Sequence, residues 1–314
     1  MKIFITGIAG MIGFHLAQRL QDEGHDVMGV DHFNNFYYSY VLKMDRGKIL
    51  KQRGITVFNA DFTEVLDYKP DLVIHLAAHA AVRHSAAYPN DYFENNIIKT
   101  QTLIRQLEKL GVERVIYAST SCVQHGQPLP WKESDRPLHQ NNPYGMSKRV
   151  NECQFIASKI PIAVGLRFFT AYGPWGRPDM ALHLFTENML KGAPLIAYNN
   201  GNMKRDFTYV GDVVDAIVHL VDYTRYPHMY TDGIEKAIYN VGYGQQVDLM
   251  DFIRLIAKKL GKAPSIDFRP PHPADVPETW CDNTKIRGMG WKPTTSIEEG
   301  VNKFVDWYRE YYTC

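Results

Sequence analysis

Lys2-Ile-Phe-Ile-Thr-Gly-Ile-Ala-Gly-Met-Ile-Gly13 is the stretch that decides the fold of this chain. Its first part, Lys2–Thr6, has the length and the bulky aliphatic side chains of a buried strand. Glycines follow at 7, 10 and 13, and helical periodicity begins at once, with Leu16 and Leu20 on one face of Ile12–Glu23. Strand, glycine turn and helix in that order make a phosphate cradle. The glycines permit the sharp bend, bring the backbone of Met11 and Ile12 close to a pyrophosphate, and let the helix lie tightly on the strand. The helix N-terminus adds unpaired N–H groups and partial positive charge. A glycine turn also arises for structural reasons alone, so its surroundings must decide.

Those surroundings repeat the pattern. Asp26–Val30, Ile55–Asn59, Leu72–Leu76, Arg114–Ala118 and Ile162–Arg167 are further Val- and Ile-rich runs bounded by Gly, Asp or Ser. Helical patterns at Phe93–Leu110 and Gly145–Lys159 separate the later ones. Alternation of this kind predicts an α/β fold, a Rossmann-like doubly wound parallel sheet. The second strand ends at Asp31, 18 residues after Gly13. A carboxylate there suits the adenosine ribose hydroxyls and repels a 2′-phosphate; His32 and Phe33 follow it, not an arginine, which favours NAD over NADP. Asp61, with Phe62 beside it, ends the third strand and either reaches the adenine edge or caps a helix before Glu64. Ala77 and Ala78 are small where the cofactor passes close to the backbone, or serve packing alone.

After about residue 170 the texture changes. Gly, Pro and Asn punctuate Tyr172–Asp179 and Asn199–Asn202, and helices are expected at 181–191, 212–223, 248–260 and 296–311. The expected division is a cofactor domain over 1–170 and a smaller α/β substrate lobe over 171–314. The boundary is soft, because Asp206–Val210 and Ile238–Val241 read as strands that return to either lobe.

Composition narrows the function. The 314 residues carry 35 basic and 34 acidic side chains, so no global field draws in nucleic acid or an anionic membrane. No apolar run approaches the roughly 20 residues that span a bilayer. Met1-Lys2 runs directly into the first strand and does not resemble a signal peptide. Cys122, Cys153, Cys281 and Cys314 lie far apart, without metal-ligand spacing. The expectation is a cytoplasmic protein with reduced thiols, neither metal-bound nor nucleic-acid-binding.

Tyr144-Gly-Met-Ser-Lys148 places a phenol and an ammonium four residues apart on one helical face. Alone, such a pair is as readily an exposed helical neighbour. Its position gives it weight: it follows Pro143 and a fifth strand that ends in Ser119-Thr120-Ser121, facing the cofactor crevice. A phenol with a pKa near 10 is a poor base at neutral pH. An adjacent ammonium and a positive nicotinamide both lower it. Tyr144 is then expected to remove a substrate hydroxyl proton as hydride leaves for NAD, with Lys148 holding the nicotinamide ribose and Thr120 orienting the reacting hydroxyl.

With Gly7, Gly10 and Gly13 in G-x-x-G-x-x-G spacing, Asp31, Thr120 and Tyr144/Lys148, the chain resembles the nucleotide-sugar epimerase/dehydratase family of extended short-chain dehydrogenases. Arg167-Phe-Phe-Thr-Ala-Tyr-Gly-Pro-Trp-Gly-Arg-Pro-Asp-Met180 resembles the UDP-glucuronate 4-epimerases within it. So do Ala80-Ala-Val-Arg-His-Ser85, Arg205-Asp-Phe-Thr-Tyr-Val-Gly-Asp212 and Asp275-Val-Pro-Glu-Thr279. The resemblance covers essentially the whole chain. It implies a UDP-sugar substrate, NAD that stays bound and is recycled, and a homodimer joined by a four-helix interface of helices 93–110 and 144–159.

It also implies a reaction. Family dehydratases carry Asp-Glu after the catalytic Thr, and decarboxylases carry Glu two residues beyond it; Ser121-Cys122 stand here. Both departures favour simple C4 epimerisation, and Arg177 with Thr170 points to UDP-glucuronate and UDP-galacturonate as the interconverted pair. A neutral or N-acetylated UDP-hexose epimerase, a UDP-glucuronate decarboxylase and a non-catalytic NAD-binding scaffold are the alternatives. By the same resemblance Thr170, Arg177 and the Thr120–Cys122 segment surround the sugar carboxylate, although Arg177 also suits a brace for its Gly-Pro loop. Arg205 and Arg83 are the diphosphate candidates, Arg83 alternatively a surface ion pair. His272 stands near the nucleotide or is a plain surface histidine. Asn95 resembles the asparagine that supports the lysine, and Phe169 one that packs on nicotinamide; a helix polar face and a core position are the simpler accounts. Val123-Gln124-His125-Gly126 departs from the family's Val-Tyr-Gly beside the sugar, and Cys122 replaces a better hydrogen-bond donor.

Overall fold

The structure, a computed structural model, describes residues 1–135, 137, 140–225, 236–273 and 275–314. All six expected runs form strands: β1 (Lys2–Thr6), β2 (Asp26–Asp31), β3 (Thr56–Asn59), β4 (Leu72–His75), β5 (Arg114–Thr120) and β6 (Ile162–Phe168). Ile238–Val241 is the seventh. The order across the sheet is Ile238–Val241, β6, β5, β4, β1, β2, β3, and every pairing is parallel. Strand order reverses between β1 and β4, and the crevice beyond their C-terminal ends is where such sheets bind ligands.

Helices cover both faces. On one, Leu16 and Leu20 of α1 (Met11–Asp22) pack with Val213, Ile217 and Leu220 of the helix Val210–Arg225. On the other, Leu103 and Leu107 of Lys99–Lys109 meet Phe155 of Pro143–Ala157. A separate core of Phe185, Phe252, Ile256, Phe304 and Tyr308 is drawn wholly from residues after 170. The two ambiguous strands part company there. Phe207–Tyr209 pairs with Thr170–Tyr172 in a small sheet, whereas Ile238–Val241 returns to the main sheet beside β6.

Two elements depart from the expected pattern. The helix Val41–Gln52 escapes periodicity because the charged Arg46 is among its fully buried residues. The expected 93–110 helix opens with a π turn, Phe93–Ile98, before the α-helix Lys99–Lys109. Such turns are frequent at functional sites, and this one carries Asn95 and Asn96. No helix of the described residues is long and apolar enough to cross a membrane.

Candidate active site

Beyond β1 the chain turns through Gly7 at a φ of +73°. A Cβ there would lie 2.8 Å from the Ala77 nitrogen, and one on Gly13 would lie 2.4 Å from the Gly7 carbonyl oxygen. Both obstacles are backbone, so glycine is required at each position. Gly10 caps α1 with no side chain bonded to the helix end, which leaves the first-turn N–H groups at Met11 and Ile12 for an anion. The Asp31 carboxylate accepts from Ala9 N–H at 3.2 Å and Phe33 N–H at 3.0 Å, with Lys43 Nζ 3.9 Å away. It thus ties the cradle to the end of β2. Asp61 accepts from Lys99 Nζ at 2.5 Å and from the Thr63 amide and hydroxyl. Burial pushes its carboxyl up, but these donors hold it below the ordinary range. These residues fit a dinucleotide with an unphosphorylated ribose.

The reacting groups lie at the C-terminal end of β5. Thr120 Oγ1 accepts from Cys122 N–H at 3.3 Å as the chain enters a short 3₁₀ turn, Ser121–Gln124. Opposite, Asn142 caps the helix Pro143–Ala157 by accepting from Gly145 N–H at 2.7 Å, and Pro143 starts its first turn. Tyr144 and Lys148 follow on its buried face. Lys148 is 1% exposed yet enters no ion pair among the described residues. Burial pushes its ammonium down to about 8, and the Glu152 carboxylate one turn on pulls it up. A buried cation left so is a receptor for something polar in the cavity.

Glu152 is itself enclosed. It accepts from Arg167 Nε at 2.8 Å and Nη2 at 3.0 Å, from Arg149 at 2.6 Å and from Ser119 Oγ at 2.7 Å. Burial raises its carboxyl, but these donors, Arg167 foremost, hold it low. Tyr144 departs from expectation: burial and then Cys122 push its phenol up, opposed by Thr120 and Arg177. Desolvating a phenolate outweighs the protein's own positive charges here.

Three arginines complete the site. Arg177 donates from Nε and Nη2 to the two oxygens of Asp179 at 3.0 and 2.5 Å, and from Nη1 to the Ala80 carbonyl at 3.3 Å. Its guanidinium lies 4.6 Å over the Tyr37 ring. Arg83 grips Asp275 at 3.1 and 2.7 Å and lies 4.2 Å over Tyr198. Arg205 donates to the Lys204 and Pro277 carbonyls, both at 2.9 Å.

One cavity of about 910 Å³ joins these parts. Its wall includes every expected cofactor residue, Phe62, Ala78, Asn95 and Phe169 among them, and of the substrate residues Arg83, Thr120, Ser121, Tyr144, Thr170, Arg177 and Arg205. His272 is the exception. Its ring makes a T-shaped contact with Tyr198 of the wall, centroids 5.9 Å apart, and does not itself line the cavity. The Gln124-His125 loop is a second correction. Gln124 is buried, donates inward to the Lys132 carbonyl at 2.6 Å, and neither residue lines the cavity, whereas Cys122 does. Sequence reasoning also missed Asn96. Its amide bonds both the N–H and the carbonyl of His79, at 2.8 and 2.9 Å, and Ser147 Oγ at 3.0 Å. Asp179 was within the quoted motif, two residues from Arg177; Tyr37 gave no signal.

The model of the family described as NAD dependent epimerase/dehydratase matches residues 3–242. Protein CapI of Staphylococcus aureus is 41% identical over 99% of each chain. The probable UDP-glucuronate 4-epimerase of Rhizobium meliloti is 35% identical over 99% of this chain and 98% of its own. The crystal structure of UDP-glucuronic acid 4-epimerase from Bacillus cereus, in complex with UDP-glucuronic acid and NAD, superposes with a TM-score of 0.89. The two are 31% identical, over 99% of this chain and all of that one.

Proposed function

Since this chain belongs to the NAD dependent epimerase/dehydratase family, we propose that it is a nucleotide-sugar 4-epimerase that interconverts UDP-glucuronate and UDP-galacturonate. The observation that carries the reading is the meeting, in one cavity, of Thr120, Tyr144 and the buried Lys148 with Arg177 at the sugar end. When bound, NAD supplies the ring that takes and returns a hydride, and a positive charge beside the phenol. Tyr144 accepts the proton of the sugar's C4 hydroxyl while Thr120 holds that oxygen. Lys148 binds the nicotinamide ribose hydroxyls and steadies the phenolate. The 4-keto sugar turns over within the cavity, so that the opposite face of C4 receives the returning hydride, and Tyr144 gives the proton back to the C4 oxygen.

Retention of the carboxylate is the second demand. A C4 ketone with a C6 carboxylate is a β-keto acid, which loses CO₂ when its C5–C6 bond aligns with the carbonyl π system. Arg177, Thr170 and Ser121 hold that bond out of alignment. No dehydratase or decarboxylase acid stands beside Thr120, where Ser121 and Cys122 lie. Protein incubated with a panel of UDP-sugars and followed by NMR is expected to make UDP-galacturonate from UDP-glucuronate without CO₂. UDP-pentose with CO₂, or turnover of neutral sugars alone, sinks the uronate reading. Tyr144→Phe is expected to lower kcat about a thousandfold with NAD still bound; an unchanged rate makes the protein a scaffold.

We further propose a homodimer in which Lys99–Lys109 and Pro143–Ala157 form half of a four-helix contact. Ile98, Met146 and Ile156, exposed on or beside these helices, support it. The division into cofactor and sugar lobes near residue 170 rests on the separate core of the later residues. A cytoplasmic location accords with four free thiols.

A further inference from the structure

Arg177 is the side chain that a uronate needs most, and its two-pronged edge is already occupied. A guanidinium offers five N–H donors in a plane, and a carboxylate binds best across two parallel ones. Asp179 takes Nε and Nη2 in that way, at 3.0 and 2.5 Å. The Ala80 carbonyl takes one hydrogen of Nη1, and the Tyr37 ring covers one face. Of the five N–H donors, one on Nη1 and one on Nη2 are left for a second carboxylate. Asp179 has no other hydrogen-bond donor among the described residues, lines the same cavity, and its side chain is 28% exposed. Water can therefore receive it when it is displaced.

We propose that Asp179 is a specificity-determining residue that stands in for the substrate's carboxylate, seated on Arg177 until a uronate replaces it. The proposal rests on the uronate reading above. Exchanging one carboxylate for another keeps the guanidinium compensated before and after binding, so no charge is stranded in the cavity wall. A neutral sugar offers nothing to exchange and leaves the Arg177–Asp179 pair closed. Uronate binding is thereby weakened by the competitor, while binding of neutral sugars is indifferent to it. Asp179 thus sets how far the site favours an acid sugar over its neutral counterpart.

Asp179→Asn preserves the shape and removes the competing charge. With the NAD-bound enzyme, the KM for UDP-glucuronate is expected to fall about fivefold, the weight of one partly exposed ion pair. The Kd for UDP and the KM for UDP-glucose are expected to stay within about twofold. An unchanged KM for UDP-glucuronate overturns the exchange. So does a raised one, which makes Asp179 a brace that holds Arg177 for the substrate, and so does an equal fall with UDP-glucose. Failure of the underlying reading looks different: the wild-type protein itself then turns over no UDP-glucuronate, and the exchange falls with it.

Discussion

Arg167 and Arg177 both hold a carboxylate by two bonds, Arg167 that of Glu152 at 2.8 and 3.0 Å and Arg177 that of Asp179 at 3.0 and 2.5 Å. Their surroundings are opposite. The first pair has no exposed side-chain surface, and Ser119, Arg149 and the Glu133 carbonyl complete its bonding. The second lies on the cavity wall with side chains 18% and 28% exposed. Breaking the first strands a charge in a medium that cannot solvate it. Breaking the second costs little, because water or a substrate takes the place of the lost partner. Access to the cavity, not the chemistry of the pair, separates a scaffold from a receptor.

The largest test of that contrast is Glu152→Gln, which leaves Arg167 without its counter-charge. It is expected to cost about 3–5 kcal/mol of stability in denaturant or thermal melts. A loss under about 1 kcal/mol would place the buried pair with ordinary surface pairs and erase the distinction.

The scaffold also bears on Lys148, one turn before Glu152. Its ammonium is pushed down to about 8 by burial, and charge is lost as pH rises through that value. Above about pH 8, kcat/KM is expected to fall roughly tenfold per unit, because the positive charge that holds the ribose and steadies the phenolate disappears. A profile level to about pH 9.5 would show that the lysine titrates elsewhere. The smallest effect belongs to the partly exposed pair: Asp179→Asn is expected to move stability by less than about 1 kcal/mol while it shifts substrate preference. A larger loss in a thermal melt would move that pair into the scaffold class.

What was legible in advance followed the local chain. Each expected strand formed, its ends shifted by two residues at most, since alternation of apolar runs and turns is a short-range signal. Gly7 and Gly13 were legible because backbone geometry admits no other residue, and Asp31 because it follows them at a fixed distance in the fold. Pairing across long separations was not. The Asp275 partner of Arg83 lies 192 residues away. Lys99 reaches Asp61 across 38 residues, and nothing near Gln124 indicates that its amide turns inward to Lys132. His272 touches Tyr198 without lining the cavity, and which of two neighbouring side chains faces a cavity has no sequence correlate either.

The sequence by itself determined the parallel sheet, the phosphate cradle, the preference for an unphosphorylated ribose and the Tyr144–Lys148 spacing. Each depends on backbone conformation or on residues a few positions apart. Only the tertiary structure decided that Lys148 is buried with no ion-pair partner among the described residues, that Glu152 is locked, and that Asp179 occupies the fork of Arg177. What an ionised group does depends on which groups of opposite charge reach it and how much water does. Both are settled only when distant segments pack.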